Sequence, residues 1–179
     1  MNIAIIGAGN VGRTLAGDIR IASNAEAASS AEVVVLATPW SATQEAVASC
    51  GDLSGKIVID CTNPLTPDFS GLALGFHTSG AERVASWAKG AQVFKTLNQI
   101  GFNLMDNPRF PGGTPVMFVC GDGTGKDEVL GLVKELGFDG VDAGGLVIAR
   151  LLEPYAMRWI HLALVQGLGQ AIGFALLRR

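Results

Sequence analysis

Histidine and cysteine are scarce in this sequence, at two and three among 179 residues. Cys50, Cys61 and Cys120 form no Cys-x-x-Cys pair and no zinc-type spacing with His77 or His161, so no metal site is expected. Three well-separated thiols also argue against a disulfide framework. Reduced, packed thiols in a cytoplasmic protein are the simplest reading. Charge is equally thin: 16% of residues are charged, and 13 basic against 16 acidic side chains leave −3 with no run of either sign. Nucleic acid or an anionic membrane surface would need a basic face, and the sequence offers none. Met1-Asn2 lacks a basic region and residues 3–6 are too short for an apolar signal core, so no secretory signal is expected. No Ser/His/Asp set or pair of carboxylates stands out, and no catalytic residue is assigned. His77 reads as a solvated loop residue and His161 as a hydrogen-bonded core or interface residue.

What the chain does have is apolar residues, 49% of the total, enough for one domain spanning 1–179 with a sizeable core. Apolar, β-branched runs recur at 2–6, 32–38, 56–60, 92–95, 115–120 and 138–142. Val33-Val34-Val35-Leu36 is continuously apolar, as expected of a strand covered on both faces. Helical spacing of apolar positions appears at 11–17, 41–50, 81–87, 98–105 and 125–136. Such alternation predicts an α/β fold, a doubly wound, mainly parallel Rossmann-type sheet. Residues 145–179 read as a helical C-terminal segment packed on the domain or on a partner subunit. Its apolar stretch 155–177 is interrupted by Arg158, His161, Gln166 and Gln170, which favours a buried or dimer-forming helix over a membrane span. The spacing of Gly169 and Gly173 would let a second helix approach closely, so a homodimer is expected. Residues 62–79 form the one long irregular stretch, a loop that borders any site at the strand ends.

The sharpest motif is Gly7-Ala8-Gly9-Asn10-Val11-Gly12, which follows the first strand and opens a helix. That context is what a dinucleotide turn requires. Gly7 permits the tight turn, Gly9 admits a pyrophosphate against the backbone, and Gly12 lets helix and strand pack closely. The free amides and positive end of the helix then face the phosphates. The adenosine half is less regular. A helix over 11–17 returns only about 10 Å at 1.5 Å per residue, whereas a five-residue strand needs about 17 Å. Either the first helix is short or the usual second strand is missing, with 18–23 as a substitute edge strand. That segment leads to Ser23 and Asn24 instead of the customary acid, with Glu26, Arg13 and Arg20 nearby. By contrast, Gly121-Asp122-Gly123-Thr124-Gly125-Lys126-Asp127 only imitates a phosphate loop. It is one residue short between its outer glycines, and Asp127 stands where Ser or Thr is needed.

Ligands of such sheets lie beyond the carboxyl ends of the strands, so those ends supply the remaining candidates. Ala37-Thr38-Pro39-Trp40 offers a hydroxyl, a fixed turn and a flat ring, which either stacks on a ligand or staples the next helix. In Asp60-Cys61-Thr62-Asn63-Pro64-Leu65, Asn63 is suited to orient a carboxamide. Asn98 and Gln99 close the 92–95 run, with helix capping an equal explanation for Asn98.

In this order, the glycine turn, Thr38-Pro39-Trp40, Thr62-Asn63-Pro64-Leu65, Thr78-Ser79-Gly80-Ala81-Glu82, Asp142-Ala143-Gly144 and Ala149-Arg150-Leu151-Leu152-Glu153-Pro154 resemble the coenzyme F420-dependent NADP oxidoreductase-like proteins. The resemblance runs over almost the whole chain. It implies a hydride-transferring oxidoreductase that uses NADP, or NAD, with a deazaflavin (F420) or a small molecule as second substrate. Gly7, Ala8, Gly9, Asn10 and Val11 would hold the pyrophosphate, and Thr38, Pro39 and Trp40 would border the cofactor. Asn63 and Pro64 would lie near the nicotinamide, and Asn98 and Gln99 would face the second substrate. The chain lacks the Ser-Arg or Arg-Asp pair with which relatives read the NADP phosphate. A non-catalytic dinucleotide-binding or regulatory module is the alternative, and a non-binding relative that supports a dimer is the third.

Overall fold

The computed structural model describes residues 1–16 and 22–179. It contains strands β1 (Ile3–Ile6), β2 (Val33–Leu36), β3 (Ile57–Asp60), β4 (Gln92–Lys95), β5 (Val116–Gly121) and β6 (Asp139–Gly144). The helices are α1 (Asn10–Leu15), α2 (Asn24–Ser29), α3 (Trp40–Ser49), α4 (Gly80–Trp87), α5 (Lys126–Glu135) and α6 (Ala149–Ile160). The strands form one sheet in the order β1-β2-β3-β4-β5-β6, parallel except where β4 meets β5. This is the expected α/β architecture, and each of the six apolar runs contributes a strand.

Right-handed crossovers explain the layering. The steps into β2, β3 and β4 all advance in one direction, so α2, α3 and α4 share one face. There Ala28, Ala46, Val47, Val84 and Ala88 cover Val34, Leu36, Val58 and Val93. Reversing the chain at β5 sends the next crossover to the opposite face. Val129 and Val133 of α5 cover β5 and β6 there, in one core with Met117 and Val119 of β5. With both faces covered, β2 and β3 are buried at every position.

Three local expectations change. Residues 98–105 form no helix beyond one 3-10 turn, Phe102–Leu104. Helical bonding yields there to longer-range contacts: the Gln99 carboxamide bonds both backbone groups of Phe118, and the Trp159 ring packs on Gly101. Helix α2 was not anticipated. Ser23 and Glu26 build a complete capping box at its start, a device worth about 1 kcal/mol. The substitute edge strand expected at 18–23 falls mostly outside the described residues. Within the described residues, β1 pairs directly with β2.

The apolar stretch 155–177 is also not one helix. α6 continues as a π-helical turn, His161–Val165, and stops. Gly167 takes a φ of 73°, which favours glycine, and the amides of Leu168 and Gly169 cap the carbonyls of Leu162 and Ala163. The chain then doubles back. Trp159 Nε1 donates to the Ile172 carbonyl at 2.8 Å, and the Phe174 carbonyl accepts from Val116 N at 2.8 Å. Gly169 and Gly173 therefore do not share a helix face; Gly173 packs on Phe110 and Pro115. No helix among the described residues is long and apolar enough to cross a membrane.

Candidate functional site

The register Ile6–Leu36–Asp60–Lys95 aligns the carboxyl ends of β1 to β4 in one row. Backbone bonds extend that row past the strands, from Ala37 N to the Ile6 carbonyl and from Cys61 N to the Leu36 carbonyl. The glycine turn, Thr38, Asn63 and Asn98 thus meet along a single edge of the sheet.

At the first position Gly7 has a φ of 116°, and a β-carbon there would sit 2.5 Å from the Ala37 carbonyl oxygen. Only glycine fits beneath that neighbouring strand end. A β-carbon on Gly12 would sit 1.9 Å from the Gly7 carbonyl oxygen, so the helix rests directly on the turn. Gly9 is different: a β-carbon there would meet nothing within 4 Å. Ala8, Gly9 and Asn10 are exposed, and no side chain caps α1. First-turn amides of a helix have no partner within the helix, and the space beside Gly9 is open. Arg13 Nε donates to the Ala8 carbonyl at 2.8 Å and braces the turn from outside.

Thr38 and Thr43 share a hydroxyl–hydroxyl bond of 3.0 Å, and Thr43 also donates to the Pro39 carbonyl. Pro39 is exposed. The Trp40 ring lies on Trp87 with centroids 5.5 Å apart and planes 30° from parallel. It also lies 3.2 Å from where a Gly80 β-carbon would stand, with Pro64 at 3.4 Å. Trp40 therefore staples α3 to α4, the second of the two roles open to it.

The side chains of Asn63 and Asn98 interlock. Asn63 Nδ2 donates to the Asn98 carbonyl at 3.0 Å, and Asn98 Nδ2 donates to Asn63 Oδ1 at 3.0 Å. Asn63 is half-buried and keeps one N–H and one lone pair unused. The two residues expected to face the second substrate are both buried. Gln99 is buried, and its carboxamide bonds Asn98 Oδ1 and the backbone of Phe118 in β5, standing in for a strand partner. Asn98 is also buried, with both ends of its carboxamide occupied. Between Thr96 and Asn98, Leu97 is held in the left-handed region at φ 56°, uncommon for a non-glycine residue. That twist turns the Asn98 backbone toward Asn63.

Beneath this edge lies a charge cluster that sequence reasoning missed. Lys95 is fully buried, with Nζ 2.9 Å from Asp60 Oδ2 and 3.4 Å from Glu153 Oε1. The same ammonium donates to the Thr62 carbonyl. Glu153 reaches across from α6 and accepts the first two amides of α4, from Gly80 at 2.9 Å and Ala81 at 3.1 Å. Burial opposes the Lys95 charge, but Asp60 and Glu153 outweigh it and hold its pKa above the ordinary lysine value. Burial lifts the Glu153 pKa, with Lys95 and the α4 amides pulling the other way. Burial also raises the neighbouring thiols, Cys61 strongly and Cys120 to about 12. All three cysteines are free and buried. A charged residue closing each apolar strand, Asp60 after Ile57-Val58-Ile59 and Lys95 after Val93-Phe94, was the available signal. Nothing local pointed to Glu153.

The other singled-out groups lie elsewhere. His77 is exposed on the loop, and exposed His161 meets Gln166 at 3.1 Å. Lys126 of the false phosphate loop is engaged by Asp142 and the Gly144 carbonyl, both at 3.0 Å.

Residues 17–64 match the family described as NADP oxidoreductase, coenzyme F420-dependent. The F420-dependent NADP reductase of Methanothermobacter marburgensis is 32% identical over 157 residues, covering 80% of this chain and 68% of that protein. Its counterpart in Methanothermobacter thermautotrophicus is 30% identical, with 79% and 64% covered. Among solved structures, a candidate F420-dependent NADP reductase from Arthrobacter sp. FB24 superposes with a TM-score of 0.89 at 31% identity. It covers 99% of this chain and 100% of that one. A reductive aminase from Aspergillus terreus in complex with NADPH shares the fold, with a TM-score of 0.67 at 18% identity over 93% of this chain and 62% of that one.

Proposed function

The chain belongs to the coenzyme F420-dependent family of NADP oxidoreductases, and from that premise we propose that it transfers hydride between a nicotinamide dinucleotide and a second, planar cofactor. NADP is the favoured dinucleotide, with NAD as the alternative, and the F420 deazaflavin is the favoured second substrate. The nicotinamide and the deazaflavin supply the hydride chemistry when bound. The protein supplies attachment and orientation. The amides at Gly7, Ala8, Gly9, Asn10 and Val11 grip the diphosphate. Thr38 and Pro39 border the cofactor, while Trp40 holds the helix behind them. The unused N–H and lone pair of Asn63 receive the carboxamide, and Pro64 shapes the adjoining wall. Asn98 supports Asn63, and Gln99 fixes Asn98.

One observation carries the reading: an uncapped, unobstructed glycine turn and a half-satisfied asparagine stand on the same strand-end edge. Positioning two cofactors accounts for a large share of catalysis without an acid–base residue. The test is oxidation of NADPH with F420, flavin and quinone acceptors, followed by loss of the reduced-nicotinamide absorbance. Turnover with F420 is expected, and inertness with all three overturns the proposal. Saturable dinucleotide binding without turnover would select the non-catalytic module. The direct pairing of β1 with β2 favours that second reading, because it leaves no intervening strand among the described residues to read the adenosine ribose. The reduced thiols suit a cytoplasmic setting. The exposed apolar residues Val147, just before α6, and Leu151, in its first turn, suit a homodimer contact.

A further inference from the structure

The residue before Asn63 is anchored in an unusual way. Thr62 lies beyond the end of β3, yet both of its backbone groups are engaged by one buried ion pair. Its N–H donates to Asp60 Oδ1 at 2.9 Å, and its carbonyl accepts from Lys95 Nζ. Lys95 in turn holds Asp60 Oδ2 at 2.9 Å, which closes a small ring through Asp60, Thr62 and Lys95. Glu153 touches the same ammonium from the far side, but its own hydrogen bonds run to Gly80 and Ala81 of α4. The cluster therefore has two arms, one ending at the Asn63 turn and the other at a helix start.

Apolar replacements of similar volume often match or exceed the stability of buried ion pairs, so this ring is better explained by the geometry it imposes than by stability. We infer that Asp60 and Lys95 are a positioning pair for the nicotinamide end of the site, locking the turn that presents Asn63, whereas Glu153 serves the start of α4. This inference rests on the dinucleotide reading above. Neither Asp60 nor Lys95 touches a ligand; they act through Thr62 and Asn63.

Two substitutions separate the arms while each leaves one ammonium facing one carboxylate. Asp60→Asn puts an amide nitrogen or a weaker acceptor against Lys95, which loosens its hold on Thr62. Glu153→Gln keeps the ring and weakens the α4 cap. The probes are NADPH and 2′-phospho-ADP-ribose, which lacks the nicotinamide, compared by titration calorimetry. Their affinity ratio in the wild type measures the contribution of the nicotinamide. D60N is expected to reduce that ratio roughly tenfold, about one hydrogen bond's worth, with 2′-phospho-ADP-ribose affinity unchanged. E153Q should lower the melting temperature and keep the ratio. A folded D60N with the wild-type ratio overturns the inference, and so does an equal loss of ratio in E153Q. A wild-type protein that binds both probes equally removes the positioning role but spares the diphosphate grip. Binding of neither probe, nor of NADH and ADP-ribose in their place, sinks the dinucleotide reading and this one together. Should D60N not fold, amide exchange in the unliganded wild type decides: Thr62 should exchange as slowly as the central strands, and loop-like exchange overturns the ring.

Discussion

Gly12 and Gly7 touch so closely that a β-carbon on Gly12 would stand 1.9 Å from the Gly7 carbonyl oxygen. Helix α1 is thereby seated on the turn it follows, and the direction of its first amides is set by that contact. Gly9, two residues from Gly7, has no such constraint on its side toward solvent. The three glycines of the motif thus divide into two that shape the backbone and one that leaves room.

This division gives a paired prediction. Gly12→Ala forces α1 off the turn, and a loss of about 1–3 kcal/mol in stability is expected along with weakened NADPH binding. Gly9 has φ −76° and ψ −170°, angles any residue adopts, so Gly9→Ala should leave the melting temperature unchanged and still weaken NADPH binding by blocking the phosphate. Calorimetry and thermal melts on both variants check this. A G9A protein that binds like wild type would remove the diphosphate from the turn.

Gln99 replaces a strand partner for Phe118, with bonds of 2.9 and 3.0 Å. Gln99→Leu leaves both backbone groups of Phe118 without that partner, and a loss of about 1–3 kcal/mol is expected. Urea denaturation measures it. Because the Gln99 carboxamide faces the sheet, affinity for 2′-phospho-ADP-ribose should not change.

The Trp40–Trp87 stack joins α3 to α4. A double-mutant cycle with Trp40→Leu and Trp87→Leu should yield a coupling energy of about 0.5–1.5 kcal/mol in denaturant melts. Additive effects would show that the two rings stabilise their helices independently.

Arg150 grips Glu82 through two bonds of 2.9 and 2.6 Å. The Arg150 hydrogen bond, opposed by partial burial and aided by Ser79, holds the Glu82 pKa below the ordinary glutamate value. A depressed folded-state pKa contributes stability above the unfolded value, and that stability is lost as the pH falls through the folded value. Both side chains are partly solvated, so the contribution is at most about 1 kcal/mol. Denaturation across the acid range should show this slope in the wild type, and Glu82→Gln should lack it.

The strands were legible because parallel strands covered on both faces need continuous β-branched runs, and Val33 to Leu36 can be little else. Helix α2 was not anticipated although Ser23-x-x-Glu26 carries its capping signal, because residues 18–23 read as an edge strand. The 98–105 segment was misread because helical spacing is a local signal, whereas Gln99 finds its partner nineteen positions away in Phe118. The same limit applies to the site. Gly7, Gly9 and Gly12 carry their geometry in the sequence itself. The interlocked carboxamides of Asn63 and Asn98, and the meeting of Lys95 with Glu153, depend on distant strands and helices arriving at one edge.

The sequential strand order also shapes how the molecule assembles. Each strand from β2 onward joins the one completed just before it, so the sheet can grow by adding ribbons in the order a ribosome releases them. Contacts between near neighbours along a chain close small loops and favour rapid folding. The late exception is the C-terminal tail: the Phe174 carbonyl reaches back to Val116 and the Ile172 carbonyl to Trp159. During synthesis, the start of β5 and the Trp159 indole must wait for residues 172–174 before these hydrogen bonds are complete.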